Sequence, residues 1–167
     1  MITREHVLAM ARYNHWQNRS IYGAADMLTD EQRKEPRGAF FGSIHGTLNH
    51  LLFGDQIWLH RFAGTPKPKV SSIATSVDMY EDWAELKDER GRFDQVLEDW
   101  AGTLDQNWLE GDLRWFSAAA ARELCKPRWL LVTHLFNHQT HHRGQVHCLL
   151  TQLGARPGDT DLALMPD

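Results

Sequence analysis

The sequence has few cysteines and no long apolar run. Its 167 residues include 2 cysteines, and Cys125 and Cys148 do not form a CxxC pair. A secreted domain held together by disulfides would need more of them, so reduced thiols in a cytoplasmic protein are expected. No stretch approaches the roughly 20 apolar residues of a membrane span, and the charged first residues lack the apolar segment of a signal peptide.

An excess of positive charge is also missing. The net charge is −4 and the isoelectric point is near 6.2. No Lys/Arg-rich run occurs, whereas nucleic-acid-binding proteins usually present a basic face. Neither a nucleic acid nor a membrane surface is therefore an expected partner.

The chain is rich in large apolar side chains and in histidine. Hydrophobic residues make up 42% of it, including 7 Trp and 7 Phe, which is typical of a packed globule rather than a disordered chain. The length suits one domain spanning residues 1–167. Of the 10 histidines, five fall within residues 134–147, and this cluster is where chemistry is expected.

Apolar spacing predicts four long helices joined by short irregular connections. Their expected ranges are Thr3 as N-cap to about Met27, Ser43 as N-cap to about Phe62, about Asp78 to Asn107, and Pro127 to Leu153. A capping box at Thr29 and Gln32 predicts one short turn. In residues 109–126 the alternation of Leu113, Trp115 and Ser117 is compatible with a short strand, but Ala118 to Ala121 favour a helix, so an irregular connection is expected. The predicted fold class is all-α, a four-helix bundle.

Two histidines of the last helix point toward its apolar side. On a helical wheel His142 falls within the arc of leucines and Val146, and His138 lies at its edge one turn earlier, whereas His134 and His141 lie nearer the polar side. Imidazoles at positions i and i+4 can reach one metal ion. HxxxH alone is a weak pattern, so a pair of hydrogen-bonded core histidines is the alternative.

A third ligand would have to come from another helix. His45, His50 and His60 on the second helix are the candidates, and periodicity does not choose among them. His50 lies on a smaller apolar stripe with Gly46 and Gly54 one turn away, and glycines permit a close approach of a neighbouring helix or ligand.

Asp55 lies in the middle of the main apolar arc of the second helix. A buried carboxylate must be paired or hydrogen-bonded. It either orients a ligand histidine or pairs with an Arg, Trp or Tyr elsewhere, and the second interpretation is slightly favoured.

Three segments resemble a known family. They are residues 137–145 (NHQTHHRGQ), residues 43–52 (SIHGTLNHLL) followed by Asp55, Trp58 and Arg61, and residues 13–18 (YNHWQN). Together they are similar to the DinB/YfiT-like metalloenzyme family, which is unrelated to the DNA polymerase of the same name.

The resemblance implies one divalent metal ion per chain, nickel or zinc, held by His50, His138 and His142, with His141 a non-ligand. It also implies a DinB/YfiT-like four-helix bundle that is often a homodimer. The implied function is that of a metal-dependent enzyme acting on a small molecule. Because some relatives use a low-molecular-weight thiol, an S-transferase is one expectation and a hydrolase the other.

Two other kinds of function fit the sequence less well. A non-catalytic stress-response or binding protein could use the ion only to pin two helices, but a structural site usually has four protein ligands, and no fourth is evident. A di-iron site would need Glu-x-x-His motifs that the chain lacks. Arg143 and Gln145 either orient a substrate or make inter-helix or dimer contacts; the contacts are favoured, and neither residue is assigned a catalytic role.

Overall fold

Four long helices supply most of the structure, and the computed structural model describes residues 1–166. The elements are α1 (Arg4–Ala25), α2 (Asp30–Lys34), α3 (Ile44–Ala63), α4 (Trp83–Thr103), α5 (Gln106–Leu109), β1 (Asp112–Ser117), β2 (Arg122–Pro127) and α6 (Arg128–Gln152), with 3-10 turns at Ser76–Asp78 and Leu162–Leu164. The long helices contact one another in a ring, α1 with α4, α4 with α3, α3 with α6 and α6 with α1. Within residues 1–166, no helix is both long and apolar enough to cross a membrane.

The predicted helix ends are confirmed where the sequence carries capping residues. The hydroxyls of Thr3 and Ser43 accept backbone N–H groups at the starts of α1 and α3, as N-caps do. Gly64 ends α3 with φ of 69°, a left-handed conformation that glycine adopts without strain. The capping box between Thr29 and Gln32 is also present.

The predicted third helix is wrong at both ends. A helix over Asp78 to Asn107 was expected, but α4 begins at Trp83 because the Asp82 side chain caps it by accepting the backbone N–H of Glu85. The chain leaves α4 after Thr103, and Asp105 then caps the separate helix α5. Local capping by aspartate thus overrides the continuous apolar spacing.

The all-α prediction is corrected by a β-hairpin in the segment expected to be irregular. Strands β1 and β2 pair antiparallel from Asp112 with Pro127 to Ser117 with Arg122. Alternate side chains of β1, including Leu113 and Trp115, pack against the core while their neighbours are exposed. The short alternation in the sequence was the signal for this half-buried strand.

Helix α3 is the most deeply buried element, and it anchors the connection at residues 64–82. Its core side chains include Ile44, Leu48, Leu51, Leu52 and Leu59. Asn49 accepts the backbone N–H of Tyr80 at 2.8 Å and donates to the Tyr80 carbonyl at 3.0 Å. His45 Nε2 lies 2.8 Å from the same carbonyl. These bonds hold the connection against α3, which brings Ser76 beside His50.

Candidate metal centre

Three imidazoles from two helices meet at one point. His50 comes from α3, and His138 and His142 come from α6. One ring nitrogen of each lies within 4.8 Å of the others, and the Nε2 atoms of His50 and His138 are 3.1 Å apart. Two nitrogens bound at about 2.0–2.1 Å to one tetrahedral ion would lie about 3.3 Å apart. The three rings are therefore within reach of a single cation.

The other sequence candidates on α3 are occupied elsewhere. His45 is bound to the Tyr80 backbone, and His60 Nδ1 contacts the carbonyl of Thr65 at the end of the helix. Of the three α3 histidines that periodicity left open, His50 is the one that the structure brings to His138 and His142.

Ser76 fixes the tautomer of His50. The Ser76 hydroxyl donates to the Ile73 carbonyl at 2.6 Å, so its only hydrogen is used there. Its oxygen lies 2.9 Å from His50 Nδ1 and must accept from that nitrogen. A neutral imidazole carries one N–H, so His50 Nε2 keeps its lone pair and faces His138. No sequence pattern indicates this role, because Ser76 lies in a connection outside every motif.

Gln145 holds His142 in the corresponding way. Its Oε1 atom lies 2.8 Å from His142 Nδ1, and a carbonyl oxygen can only accept. His142 Nδ1 is therefore the donor, and Nε2 is available as a ligand. The sequence favoured inter-helix or dimer contacts for Gln145, whereas the structure places it one helical turn from His142 and in contact with that candidate ligand.

Glycines admit the neighbours of the site, as the sequence predicted. A Cβ on Gly54 would lie 3.1 Å from His138 Cε1, so the His138 ring rests directly on the α3 backbone. A Cβ on Gly46 would lie 2.6 Å from the Phe41 carbonyl oxygen. The loop can thus approach α3, and the Phe41 ring stacks on His50 with centroids 3.6 Å apart.

Burial keeps the three imidazoles neutral at physiological pH. Desolvation is the main cause that lowers the pKa of His50 to about 4 and the pKa of His138 to about 3. It also lowers the pKa of His142, although the hydrogen bond that His142 donates to Gln145 acts in the opposite direction and raises it. Removing water disfavours the charged form, and only neutral imidazole binds a metal. A cation could therefore bind without first displacing a proton from any of the three rings.

Asp55 belongs to a buried network and contacts none of the three histidines. Its carboxylate accepts from Arg90 at 2.7 Å and from Gln139 at 2.6 Å. Arg90 also pairs with Asp94 at 2.7 Å, which accepts from Asn18 at 2.8 Å. The network therefore joins all four long helices, and the interpretation of Asp55 as a partner of a buried arginine is confirmed.

Arg143 extends the same network and makes an inter-helix contact of the kind that the sequence analysis favoured. It is buried and donates to the side-chain oxygen of Asn14 on α1. Asn14 in turn lies 3.5 Å from Asp55. Burial lowers the pKa of Arg143 to about 10, so it is still cationic at neutral pH.

A cavity of about 510 Å³ opens beside the histidines. His50 and His138 line one part of it. The rest of the wall comes from α3, α6, the 64–82 connection and the hairpin: Trp58, Arg61, His134, Ser71, Ser72, Ile73, Trp115 and residues 117–119, together with Phe53, Gly54 and Ile57. Its size is within the usual range for sites that bind small molecules.

Comparisons with known proteins agree with this architecture. The sequence model described as the DinB family matches residues 1–167. The chain is 24% identical over 152 residues to Protein DinB of Bacillus subtilis (strain 168), a match covering 91% of this chain and 88% of that protein. A crystal structure of a DinB-like protein from Bacillus cereus ATCC 10987 is similar in fold, with a TM-score of 0.62 and 18% identity, over 86% of this chain and 90% of that one.

Proposed function

The chain belongs to the DinB family, and on that basis we propose that it is a metal-dependent enzyme whose divalent ion is held by His50, His138 and His142. Zinc or nickel is the proposed ion, because imidazole nitrogen suits both. The proposed reaction is transfer to or from a low-molecular-weight thiol, or hydrolysis, on a small-molecule substrate. A homodimeric bundle in the cytoplasm is the proposed setting.

One observation carries the proposal. Among residues 1–166 the group that could hold an ion contains three histidines and no fourth ligand, and His50 and His138 line a cavity of about 510 Å³. Catalytic sites usually combine three protein ligands with a position left for water or substrate, whereas structural zinc sites are closed by four. The arrangement favours an enzyme over an ion that only joins two helices.

The side chains prepare the site for such a reaction. Ser76 and Gln145 accept hydrogen bonds from Nδ1 of His50 and His142, so that Nε2 of each keeps the lone pair with which it would bind an ion. Phe41 covers the rings of His50 and His142 on one side, which excludes water there. When bound, the ion would lower the pKa of a water or thiol, or polarise a substrate oxygen.

Elemental analysis of protein purified without a histidine tag tests the ligand set. We expect about one metal ion per chain in the wild type and strong loss in His142→Ala, because one of three ligands is gone. His141→Ala is the matched control: it removes an exposed histidine at the preceding position and should leave the metal content unchanged. Full metal content in His142→Ala would refute the assignment.

Activity assays separate the enzyme from the non-catalytic alternative. The wild-type protein is incubated with 4-nitrophenyl acetate, and separately with 1-chloro-2,4-dinitrobenzene and a panel of small thiols including cysteine. The proposal expects turnover of at least one reaction that stops on chelation and returns with added metal. A protein that binds metal but turns over neither 4-nitrophenyl acetate nor 1-chloro-2,4-dinitrobenzene with any of the thiols would favour a structural ion.

A further inference from the structure

Arg61 is a partly buried cation that forms no ion pair or side-chain hydrogen bond with the rest of residues 1–166. It lies on α3 in the cavity wall, and burial lowers its pKa. Among residues 1–166, no carboxylate is within ion-pairing distance of its guanidinium. Buried charges in proteins are usually paired, because desolvation of a lone charge is unfavourable.

Arg128 provides an internal comparison. It is also partly buried and also lies over an indole ring, with Cζ 4.9 Å from the centroid of Trp108. Its guanidinium, however, donates to the Trp108 carbonyl at 3.1 Å. An arginine can therefore stack on tryptophan and still donate a hydrogen bond to the protein. Arg61 differs, because its hydrogen-bonding groups have no protein acceptor among residues 1–166.

Two indole rings define the space around Arg61. Its Cζ lies 4.6 Å from the centroid of Trp58 and 5.8 Å from that of Trp115, and the two rings meet edge to face at 5.5 Å. His134 packs on Trp58 at 5.2 Å, and burial lowers its pKa, so it adds no second positive charge. The guanidinium is thus held in a mainly apolar, flat-walled region.

This region is continuous with the histidine site. His50, Gly54, Trp58 and Arg61 follow one another on a single face of α3, all lining the same cavity. At 1.5 Å of rise per residue, Arg61 lies about 16 Å along the helix axis from His50 and about 10 Å from Gly54, on which the His138 ring rests. A molecule bound to Arg61 would therefore reach His138 if it were on the order of 10 Å long.

We propose that Arg61, Trp58 and Trp115 form a carboxylate-binding subsite, and that the ligand of this cavity is a small organic carboxylate with a flat apolar body. The guanidinium fork matches the two oxygens of a carboxylate, and the indoles contact the apolar body. The identification of this ligand as the substrate rests on the proposed function. The binding of carboxylates by the subsite does not depend on that function.

The test uses chelator-treated protein, so that no metal ion can capture the carboxylate. The probe is 2-naphthoate, its neutral counterpart is 2-naphthamide, and binding is followed by the indole N–H resonances of ¹⁵N-labelled protein. We expect 2-naphthoate to bind wild type at least about tenfold more tightly than 2-naphthamide, as a charge-assisted pair predicts.

Three variants locate the interaction. Arg61→Gln should weaken 2-naphthoate at least about tenfold and leave 2-naphthamide unchanged, and Arg61→Lys, which keeps the charge without the fork, should be intermediate. Arg19→Gln is the matched control, because it removes the same charge from an exposed position on α1 outside this cavity, and it should bind like wild type. If Arg61→Gln does not fold, Arg61→Lys and the wild-type comparison of the two probes decide.

The proposal is overturned if 2-naphthoate does not bind the metal-free wild type, binds no better than 2-naphthamide, or binds Arg61→Gln as tightly as wild type. Failure of the wild-type protein to bind metal would refute the proposed function and leave the result of the 2-naphthoate titration unaffected. The two proposals therefore fail by different measurements.

Discussion

Gln139 on α6 donates to Asp55 on α3 at 2.6 Å, and the same amide group donates to the Leu51 carbonyl at 3.0 Å. Gln139 follows His138 in the chain and Asp55 follows Gly54, and the His138 ring rests on Gly54. The buried hydrogen bonds thus fix α3 and α6 in the register at which His138 meets His50.

Gln139→Leu should destabilise the protein and disturb the site. The substitution nearly keeps the volume but removes two buried hydrogen bonds, one of them to a carboxylate, so we expect a loss of about 1–3 kcal/mol in the free energy of unfolding and weaker metal binding. Urea denaturation and a metal titration measure the two effects. Gln95→Leu, at an exposed position on α4, should change stability by less than about 0.5 kcal/mol; equal behaviour of the two variants would contradict the register argument.

Gly54→Ala should displace the His138 ring. An added Cβ would lie 3.1 Å from His138 Cε1 and 3.4 Å from its Nδ1, so the ring must shift and metal affinity should fall by about tenfold or more. Gly91→Ala is the control, because a Cβ there meets nothing within 4 Å and alanine favours a helix by about 0.5–1 kcal/mol. Calorimetric metal titration of both variants checks the prediction, which fails if Gly54→Ala binds metal as the wild type does.

Ser76→Ala should release the tautomer of His50. Without the hydroxyl, Nδ1 loses its acceptor, and metal affinity should fall by about 10–100-fold, as for other groups that hold a ligand histidine. Long-range ¹H–¹⁵N spectra of the metal-free protein should show the Nδ1–H form of His50 in wild type and a mixture in the variant. A single Nδ1–H tautomer in Ser76→Ala would show that another group holds the ring.

The metal-free protein should lose stability as the pH falls from about 6.5. In the unfolded chain the imidazoles of His50 and His138 take up protons near pH 6.5. In the folded protein the pKa is about 4 for His50 and about 3 for His138. The unfolded state then binds more protons, so the free energy of unfolding decreases through this window. Thermal or urea unfolding in metal-free buffers between pH 7 and pH 4.5 measures the slope.

A variant with His50→Gln and His138→Gln isolates this contribution. Because it lacks both buried imidazoles, its stability should fall less steeply between pH 6.5 and pH 4.5 than that of wild type. A slope at least as steep as that of wild type would mean that other groups cause the acid sensitivity.

The features predicted correctly from the sequence are those whose pattern lies within a single helix. The i, i+4 spacing of His138 and His142 placed both on one face of α6, and the caps Thr3 and Ser43 located two helix starts within a residue. The prediction was wrong at residues 112–127, where the apolar alternation was too short to distinguish a hairpin from an irregular connection.

The sequence by itself determined the helical periodicity, the capping residues and the inward direction of His138 and His142, because these depend on backbone geometry over one or two turns. Helical periodicity did not choose among His45, His50 and His60, and the family resemblance implied His50. Only the tertiary structure decided that His50 meets the two α6 histidines, that Ser76 holds its ring, and that Arg61 faces the same cavity. Those relationships join residues far apart in the chain, and they follow from how α3 packs against α6 and how the 64–82 connection folds back onto α3.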